Sequence, residues 1–205
     1  MPAPTINSHT QLAGLIGWPV EHSLSPAMHN AAFAELDLNW RYVPLPVPRS
    51  QVETAVHGLA ALGFRGANVT VPHKQAALAA IERASGSETV DPGARAIGAV
   101  NTIVIDRRQR DEVRISAHNT DSSGFSVALQ EGGFHPESAS TVVVGAGGGA
   151  RAIVFGLLEA EAQSIVVLNR TLQRAEALVE TEDEVRAAVR EGTAPLDAYE
   201  RFGRF

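Results

Sequence analysis

The chain has 205 residues, of which 44% are hydrophobic and 20% charged, and this length suits one large domain or two small ones. Its formal net charge of −6 excludes the basic surface that binds nucleic acid or an anionic membrane, and its lack of cysteine excludes disulfides, thiol nucleophiles and cysteine metal sites. Neither a signal peptide nor an apolar run of the roughly 18 residues that span a bilayer is visible, so the sequence predicts a soluble, cytoplasmic protein without a metal centre.

Short apolar runs alternate with longer stretches of helical period, which is the pattern of an α/β protein with a mostly parallel sheet. The elements predicted first are a strand Leu12–Gly17, a helix opened by Pro26 with Ser25 as its N-cap, a strand Trp40–Leu45, a helix Gln51–Leu62, a strand Gly66–Val71, a helix from Pro72 through Ile81, a strand pair Ala99–Asp106 and Val113–Ala117, and a helix at about 122–130. These elements predict a first α/β domain over residues 1–133.

The composition changes after Glu131, where glycines and a proline interrupt the chain. The elements predicted after this point are a strand Ser140–Gly145, a glycine-rich turn, a helix through Leu158, a strand Ser164–Leu168 and further helices, the last at 184–190. Two parallel strands leave two bare sheet edges, and a full dinucleotide-binding fold needs roughly twice this length. The sequence therefore predicts a truncated, Rossmann-like domain over residues 134–205.

The glycine-rich turn has the pattern G-x-G-x-x-A between a strand and a helix. Gly145 allows the tight turn, Gly147 lets the backbone approach a pyrophosphate, and Ala150 permits close packing of the helix on the strand. The amides at the helix start then face the anion. The cofactor-binding residues expected in this turn are Gly145, Ala146, Gly147, Gly148, Gly149 and Ala150. The simpler alternative is an ordinary tight turn.

The second strand of this domain ends at Asn169-Arg170-Thr171, and Arg174 follows one helical turn later. A site that prefers NAD would carry Asp or Glu here. The guanidinium of Arg170 instead suits a 2′-phosphate, and Thr171 can cap the next helix while donating to the same group. This pattern predicts NADP as the cofactor, unless both arginines are only solvated surface charges.

Polar side chains of the first domain lie at predicted strand ends, where open α/β sheets bind ligands. Ser23 and Ser25 alternate with an apolar residue beside a helix start, an arrangement that suits a carboxylate or simply caps the helix. Asn68 and Thr70 share one face of a strand end. Together they predict a binding site for a small polar molecule.

Lys74 lies in the first turn of a predicted helix, where the positive end of the helix dipole disfavours an ammonium group. Some local reason for this lysine is therefore expected, and a proton carrier is one candidate, although most lysines are surface residues. Asn101 begins a strand, and Asp121 precedes a helix, where an N-cap is the simplest interpretation. His73 is expected to pack or to support a neighbour, not to bind a ligand.

Taken together, these segments resemble the shikimate dehydrogenase family. The matching segments are S-L-S-P at 23–26, N-V-T-V-P-H-K at 68–74, G-A-V-N-T at 98–102, N-T-D at 119–121, G-A-G-G-G-A at 145–150 and N-R-T at 169–171. They follow the family's order at similar spacing. The resemblance implies the reversible, NADPH-dependent reduction of 3-dehydroshikimate to shikimate in aromatic amino-acid biosynthesis, with Lys74 and Asp121 as the catalytic pair.

The resemblance also implies how the substrate is held. The residues it assigns are Ser23 and Ser25 at the substrate carboxylate, Asn68, Thr70, Asn101 and Asp121 at the ring hydroxyls, and Lys74 at the reacting oxygen. On the cofactor side it assigns the glycine-rich turn and Asn169, Arg170, Thr171 and Arg174.

Two departures from the family pattern leave alternatives open. Ser122-Ser123 stand before Gly124, where the family commonly has glycine directly after N-T-D, and this variant is similar to quinate/shikimate dehydrogenases. The family's N-A-T-P-x-G-M and Q-G-A segments are absent, and residues 181–205 match neither. The hypotheses are a shikimate dehydrogenase completed by self-association into a homodimer, a quinate-type dehydrogenase, and a non-catalytic binding module or remnant.

Overall fold

The computed structural model describes residues 6–109 and 112–180, so the helix predicted at 184–190 lies outside the described residues. The chain divides into two compact units. The first comprises residues up to Arg95 together with Ala99–Asn119, and the second comprises Ala96–Gly98 together with the residues from Thr120 onward. The composition change at about residue 133 falls after the first helix of the second unit.

The first unit is built on a five-stranded sheet. Its elements are β1 (Gln11–Gly17), α1 (Ser25–Glu35), β2 (Trp40–Pro46), α2 (Val52–Ala61), β3 (Gly66–Val69), α3 (Lys74–Ser85), α4 (Pro92–Ile97, whose last two residues belong to the second unit), β4 (Thr102–Gln109) and β5 (Glu112–His118). The strand order is β2-β1-β3-β4-β5. β1 pairs in parallel with β2 and β3, whereas β4 is antiparallel to both β3 and β5. Four of the five strands therefore run in one direction, which confirms the predicted mostly parallel sheet.

Both faces of this sheet carry buried apolar side chains. Neighbouring residues of a strand point to opposite faces, so Ile16 joins the larger cluster with α2 and α3, while Leu15 joins a smaller one with Tyr42. Phe33 of α1 packs against the smaller cluster. Burial on both faces explains why β1 is a continuous apolar run instead of an alternating one.

Two helices of this unit begin elsewhere than predicted. The helix expected from Pro72 begins at Lys74, because β3 ends at Val69 and a turn follows that includes Pro72. The N-cap predicted at Ser25 is wrong by one residue, since Leu24 occupies that position. Ser25 is the first helical residue, and its amide donates to Oγ of Ser23 at 3.3 Å.

The second unit contains α5 (Asp121–Glu131), β6 (Ser140–Val144), α6 (Gly148–Glu159), β7 (Ser164–Leu168) and α7 (Leu172–Glu180). β6 and β7 form a parallel pair, and within the described residues no third strand joins them. Its core contains Val143, Ala146, Val154, Leu157, Ile165 and Leu178.

One side of β6 is left open in the described part of the chain. Val143 is buried, whereas its neighbours Val142 and Val144 are 61% and 82% exposed. Parallel strands are normally covered on both faces, so these valines mark an uncovered apolar surface. None of the helices among residues 6–109 and 112–180 is long and apolar enough to cross a membrane.

Candidate active site

Three chain segments meet at one edge of the five-stranded sheet. β1 and β3 are parallel neighbours, so their carboxyl ends lie together, and antiparallel β4 begins at the same edge. Backbone hydrogen bonds fix the meeting point, since the Thr70 amide donates to the Ile16 carbonyl at 2.8 Å and the Val69 amide donates to the Asn101 carbonyl at 2.8 Å. The predicted site residues that these segments carry are Ser23, Ser25, Asn68, Thr70, Lys74 and Asn101. The sheet edge therefore gathers the predicted polar residues of the first unit.

Gly17 allows the segment after β1 to pass close to the end of β3. A Cβ added at Gly17 would lie 2.5 Å from Cγ2 of Thr70 and 2.6 Å from Cγ1 of Val20. The same segment then carries Ser23 and Ser25, both half-buried, to the start of α1. The missing side chain at position 17 thus lets the segment that leads to the two serines begin close against Thr70.

Asn68 is held in one orientation by three neighbours. Its Oδ1 accepts from the Tyr42 hydroxyl at 2.8 Å, and its Nδ2 donates to the Asn101 carbonyl at 3.4 Å and to Oγ1 of Thr102 at 3.3 Å. Burial raises the pKa of Tyr42 from 10.0 to about 12, so at neutral pH its hydroxyl remains a hydrogen-bond donor. The substrate contact predicted for Asn68 stays a prediction, and Tyr42 is a supporting residue that sequence reasoning missed.

A cavity of about 210 Å³ lies beside this asparagine, against the sheet face that packs on α1. Aromatic rings form much of its wall, and His29 stacks on Tyr42 with ring centroids 4.3 Å apart. Its other lining residues include Phe33, Trp40 and Thr102. No motif in the sequence indicated this cavity, because its walls come from five separate elements, β1, α1, β2, β3 and β4.

Asn101 is buried, with 8% of its surface exposed, at the turn into β4. Its amide donates to the His118 carbonyl at 3.0 Å, and its side-chain Oδ1 accepts from Oγ1 of Thr102 at 2.9 Å. Its backbone is therefore fixed between β3 and β5 at the same edge of the sheet.

Lys74 is the first residue of α3 and is half-buried. Its carbonyl accepts from the Val100 amide at 3.1 Å, which joins the start of α3 to the segment leading to Asn101. It is also the only lysine in a chain whose lysines and arginines together number 17. That count was a sequence signal for this position, because the other 16 of these 17 residues are arginines.

Asp121 is the first residue of α5, with Thr120 at the N-cap position, so its interpretation as the N-cap is wrong by one residue. A carboxylate in the first turn is stabilised by the positive end of the helix dipole. Asp121 belongs to the second unit and Lys74 to the first. Their pairing stays a prediction.

The glycine-rich turn joins β6 to α6 in the predicted strand–turn–helix context. Gly145 has φ of +114°, a conformation that strongly favours glycine, and its amide donates to the Leu168 carbonyl at 2.7 Å. A Cβ added at Gly147 or Gly149 would meet nothing within 4 Å. The first amides of α6 have no partner within the helix, so the turn offers both donors and space to a pyrophosphate.

The segment after β7 lies beside this turn. The register pairs Val144 with Leu168, so the ends of β6 and β7 are level and Asn169 follows at the same edge. Nδ2 of Asn169 donates to the Thr171 carbonyl at 2.7 Å, and Thr171 directly precedes α7. Arg170 and Arg174 are exposed. Within the second unit, the structure thus brings both predicted cofactor segments together.

Arg151 is a residue that sequence reasoning missed. It follows the glycine-rich turn directly, yet only 7% of its surface is exposed. Its Nη2 donates to the Ala177 carbonyl in the last turn of α7 at 3.4 Å. Its Nη1 lies 3.1 Å from where a Cβ on Gly98 would stand. Arg151 therefore connects the helix after the turn with α7 and with the short segment 96–98.

Comparison with known proteins gives matches over most of the chain. Residues 15–103 match the family model of the shikimate dehydrogenase substrate binding domain, and residues 127–194 match that of shikimate/quinate 5-dehydrogenase. The NADP(+)-dependent shikimate dehydrogenase of Rubrobacter xylanophilus is 47% identical over 180 residues, which are 88% of this chain and 60% of that protein. The chain thus spans about 60% of the length of this relative.

Solved structures give the same result. A crystal structure of a shikimate dehydrogenase in complex with NADP+ has a TM-score of 0.78 and 38% identity, covering 91% of this chain and 61% of that one. The Thermus thermophilus enzyme in complex with NADP(H) and shikimate has a TM-score of 0.69 and 40% identity, covering 84% of this chain and 60% of that one.

Proposed function

Because the chain belongs to the shikimate dehydrogenase family, we propose that it is an NADP-dependent oxidoreductase that interconverts shikimate and 3-dehydroshikimate. The observation that carries this proposal is the sheet edge of the first unit, where backbone hydrogen bonds join the segments of Thr70, Lys74 and Asn101. The glycine-rich turn of the second unit supplies the matching nucleotide site.

The substrate carboxylate is held by the hydroxyls of Ser23 and Ser25, and the ring hydroxyls by Asn68, Thr70, Asn101 and Asp121. The half-buried position of the two serines, and the fixed backbone around Asn101, support this assignment. Fixed polar groups of this kind orient a substrate without first having to reorganise, which lowers the barrier of the following step.

The proton is moved by Lys74. During reduction its ammonium group donates a proton to the substrate oxygen, and its positive charge stabilises the negative charge that develops there. The Asp121 carboxylate keeps the ammonium group in place between turnovers. Bound NADPH supplies the hydride that reaches the carbonyl carbon.

The first amides of α6 would hold the NADP pyrophosphate, and Arg170, Thr171 and Arg174 would hold its 2′-phosphate. The open space at Gly147 and Gly149 and the exposed guanidinium groups support this assignment. Asn169 keeps the intervening backbone bent through its bond to the Thr171 carbonyl.

A non-catalytic binding module is the second candidate function. The observation that favours it is the exposed pair Val142 and Val144 on β6, which nothing covers in the described part of the chain. A homodimer that covers this surface would reconcile the open strand with an active enzyme.

A quinate-type dehydrogenase is the third candidate function. It is favoured by Ser122 and Ser123, which stand before Gly124. The predicted cytoplasmic location stays a prediction.

The experiment that tests the proposal follows NADP+ reduction by the absorbance of NADPH, with shikimate and with quinate as substrates. Lys74→Ala and Lys74→Arg are compared with the parent protein. Arginine keeps the positive charge but does not release its proton at neutral pH, so both variants are expected to lose turnover. Normal turnover in Lys74→Ala would refute the assignment, and faster oxidation of quinate would favour the quinate-type enzyme. A ligand-induced rise in melting temperature without turnover would identify the binding module.

Cofactor choice is tested with Arg170→Ala, using Arg83→Ala in the first unit as the control for loss of an exposed arginine. Charge-assisted hydrogen bonds contribute about 1.5–3 kcal/mol each, so NADP+ affinity is expected to fall roughly 10- to 150-fold. Affinity for NAD+ should hardly change. Equal loss for both nucleotides would contradict the role given to Arg170.

A further inference from the structure

His73 occupies an unusual place for a polar side chain. It lies in the turn between β3 and α3, and only 1% of its surface is exposed. Its Nε2 lies 2.6 Å from the carbonyl oxygen of Val47, the residue that follows β2. A carbonyl can only accept, so the ring donates from Nε2. The imidazole thus links the turn before α3 to the end of another strand.

The backbone of His73 is fixed as firmly as its ring. Its amide donates to the Thr70 carbonyl at 2.9 Å, and its carbonyl accepts from the Ala77 amide at 2.8 Å. Val47 is fixed in turn, because its own amide donates to the Gly17 carbonyl at 3.0 Å. His73 is therefore tied to the ends of β2 and β3, and through Val47 to the end of β1.

Lys74 follows this anchor directly. His73 stands at the N-cap position of α3, but its side chain does not cap the helix. The first turn of α3 is therefore held by the ring of His73 on one side and by the Val100 amide on the Lys74 carbonyl on the other. An apolar residue could fill the same volume, but it would leave the Val47 carbonyl without its hydrogen-bond donor. If His73 only filled space, this hydrogen bond would not be needed.

We infer that His73 is a positioning residue, whose hydrogen bond to the Val47 carbonyl holds the start of α3 and so fixes where the Lys74 amine stands at the sheet edge. The catalytic consequence rests on the proton-transfer role proposed for Lys74. The position of the Lys74 side chain does not depend on that role, so position and catalysis are measured separately.

Three substitutions separate the hydrogen bond from the volume. In His73→Gln the side-chain amide reaches about as far as Nε2 and can donate to the same carbonyl. In His73→Asn the amide stops short of it, and in His73→Leu the volume is filled without a donor. Circular dichroism and thermal melting establish which variants fold. If His73→Leu does not fold, the comparison of His73→Gln with His73→Asn still shows whether the hydrogen bond to the Val47 carbonyl is needed.

The first measurement needs no turnover. Reductive methylation with ¹³C-formaldehyde labels the single lysine, so Lys74 gives one dimethylamine signal besides that of the terminal amine. The signal is expected to match the parent protein in His73→Gln and to shift or broaden in His73→Asn and His73→Leu. An unchanged signal in a folded His73→Asn or His73→Leu variant would overturn the inference.

The second measurement is shikimate oxidation. A catalytic group displaced by about 1 Å can cost on the order of 100-fold in rate. His73→Leu and His73→Asn are therefore expected to lower kcat 10- to 100-fold on this estimate while leaving the shikimate KM nearly unchanged. His73→Gln should restore kcat, and equal kcat in all variants would overturn the catalytic part. If the Lys74 signal shifts in His73→Asn and His73→Leu while the parent protein shows no turnover, the positioning is supported and the proposed activity is refuted.

Discussion

Gly66 offers a direct test of how β3 is placed between its neighbours. It pairs with Ala13 of β1 on one side and with Val104 of β4 on the other. A Cβ added here would overlap the carbonyl oxygen of Ile103. That obstacle is backbone, so no side-chain rotation can relieve the overlap, and β4 itself would have to move away from β3.

The expected size of the effect follows from this geometry. Overpacking lowers the free energy of unfolding by about 1–3 kcal/mol where side chains can move aside. Because the obstacle here is backbone, the steric loss for Gly66→Ala is expected to be about 3 kcal/mol or slightly more. Alanine loses less conformational entropy on folding than glycine, which offsets roughly 0.5–1 kcal/mol. The net loss is about 2–3 kcal/mol. For a chain of this length the melting temperature falls by about 2–4 °C per kcal/mol, so a decrease of roughly 4–12 °C is expected.

Gly58→Ala is the matched control. Gly58 lies inside α2, and a Cβ there would meet nothing within 4 Å. Alanine is about 0.8–1 kcal/mol better than glycine inside a helix, so this variant should melt above the parent protein. Circular dichroism follows both melts, and urea unfolding gives the free energies. If Gly66→Ala proved as stable as the parent protein, the close approach of β3 and β4 would not be needed for folding.

Two other predictions concern single residues. Gly98 and Gly133 both have φ of +70°, but only Gly98 faces Arg151, whose Nη1 would lie 3.1 Å from an added Cβ. Gly133→Ala should lose about 1–2 kcal/mol from backbone strain, and Gly98→Ala more, as measured by urea unfolding; equal losses would contradict the role of Arg151. Burial raises the pKa of Tyr42 from 10.0 to about 12. The protonated hydroxyl therefore stabilises the folded state fully below pH 10.0, and this contribution is lost as the pH rises through about 12. In Tyr42→Phe the free energy of unfolding should not show this decrease between pH 10 and 12. Titration followed by ultraviolet absorbance should show one ionising tyrosine fewer near pH 12.

Much of the fold was predictable because its strands are apolar runs with clear ends. The strand Ser164–Leu168 has the predicted bounds, and Trp40–Leu45 differs from β2 by one residue. Helix starts were less predictable, because a start depends on capping partners that sequence spacing does not fix. At α1 the partner of the first amide is Ser23, two residues before it.

The candidate site divides in the same way. The positions of some segments could be predicted, because the glycine-rich turn follows directly from a strand and Asn169 bonds a residue only two positions away. Tyr42, His73 and Arg151 were not assigned their contacts, because each bonds a group far away in the sequence. No short motif encodes such partners, and only folding brings them together.

The chain leaves its first unit at Arg95, returns at Ala99, and leaves again after Asn119. The two units are therefore not consecutive blocks of sequence. A gene fragment ending at Asn119 would still encode Ala96–Gly98 but not Arg151, the side chain that lies against Gly98. Recombination that exchanged the second unit at this junction would separate Gly98 from its Arg151, so the two segments are expected to have diversified together.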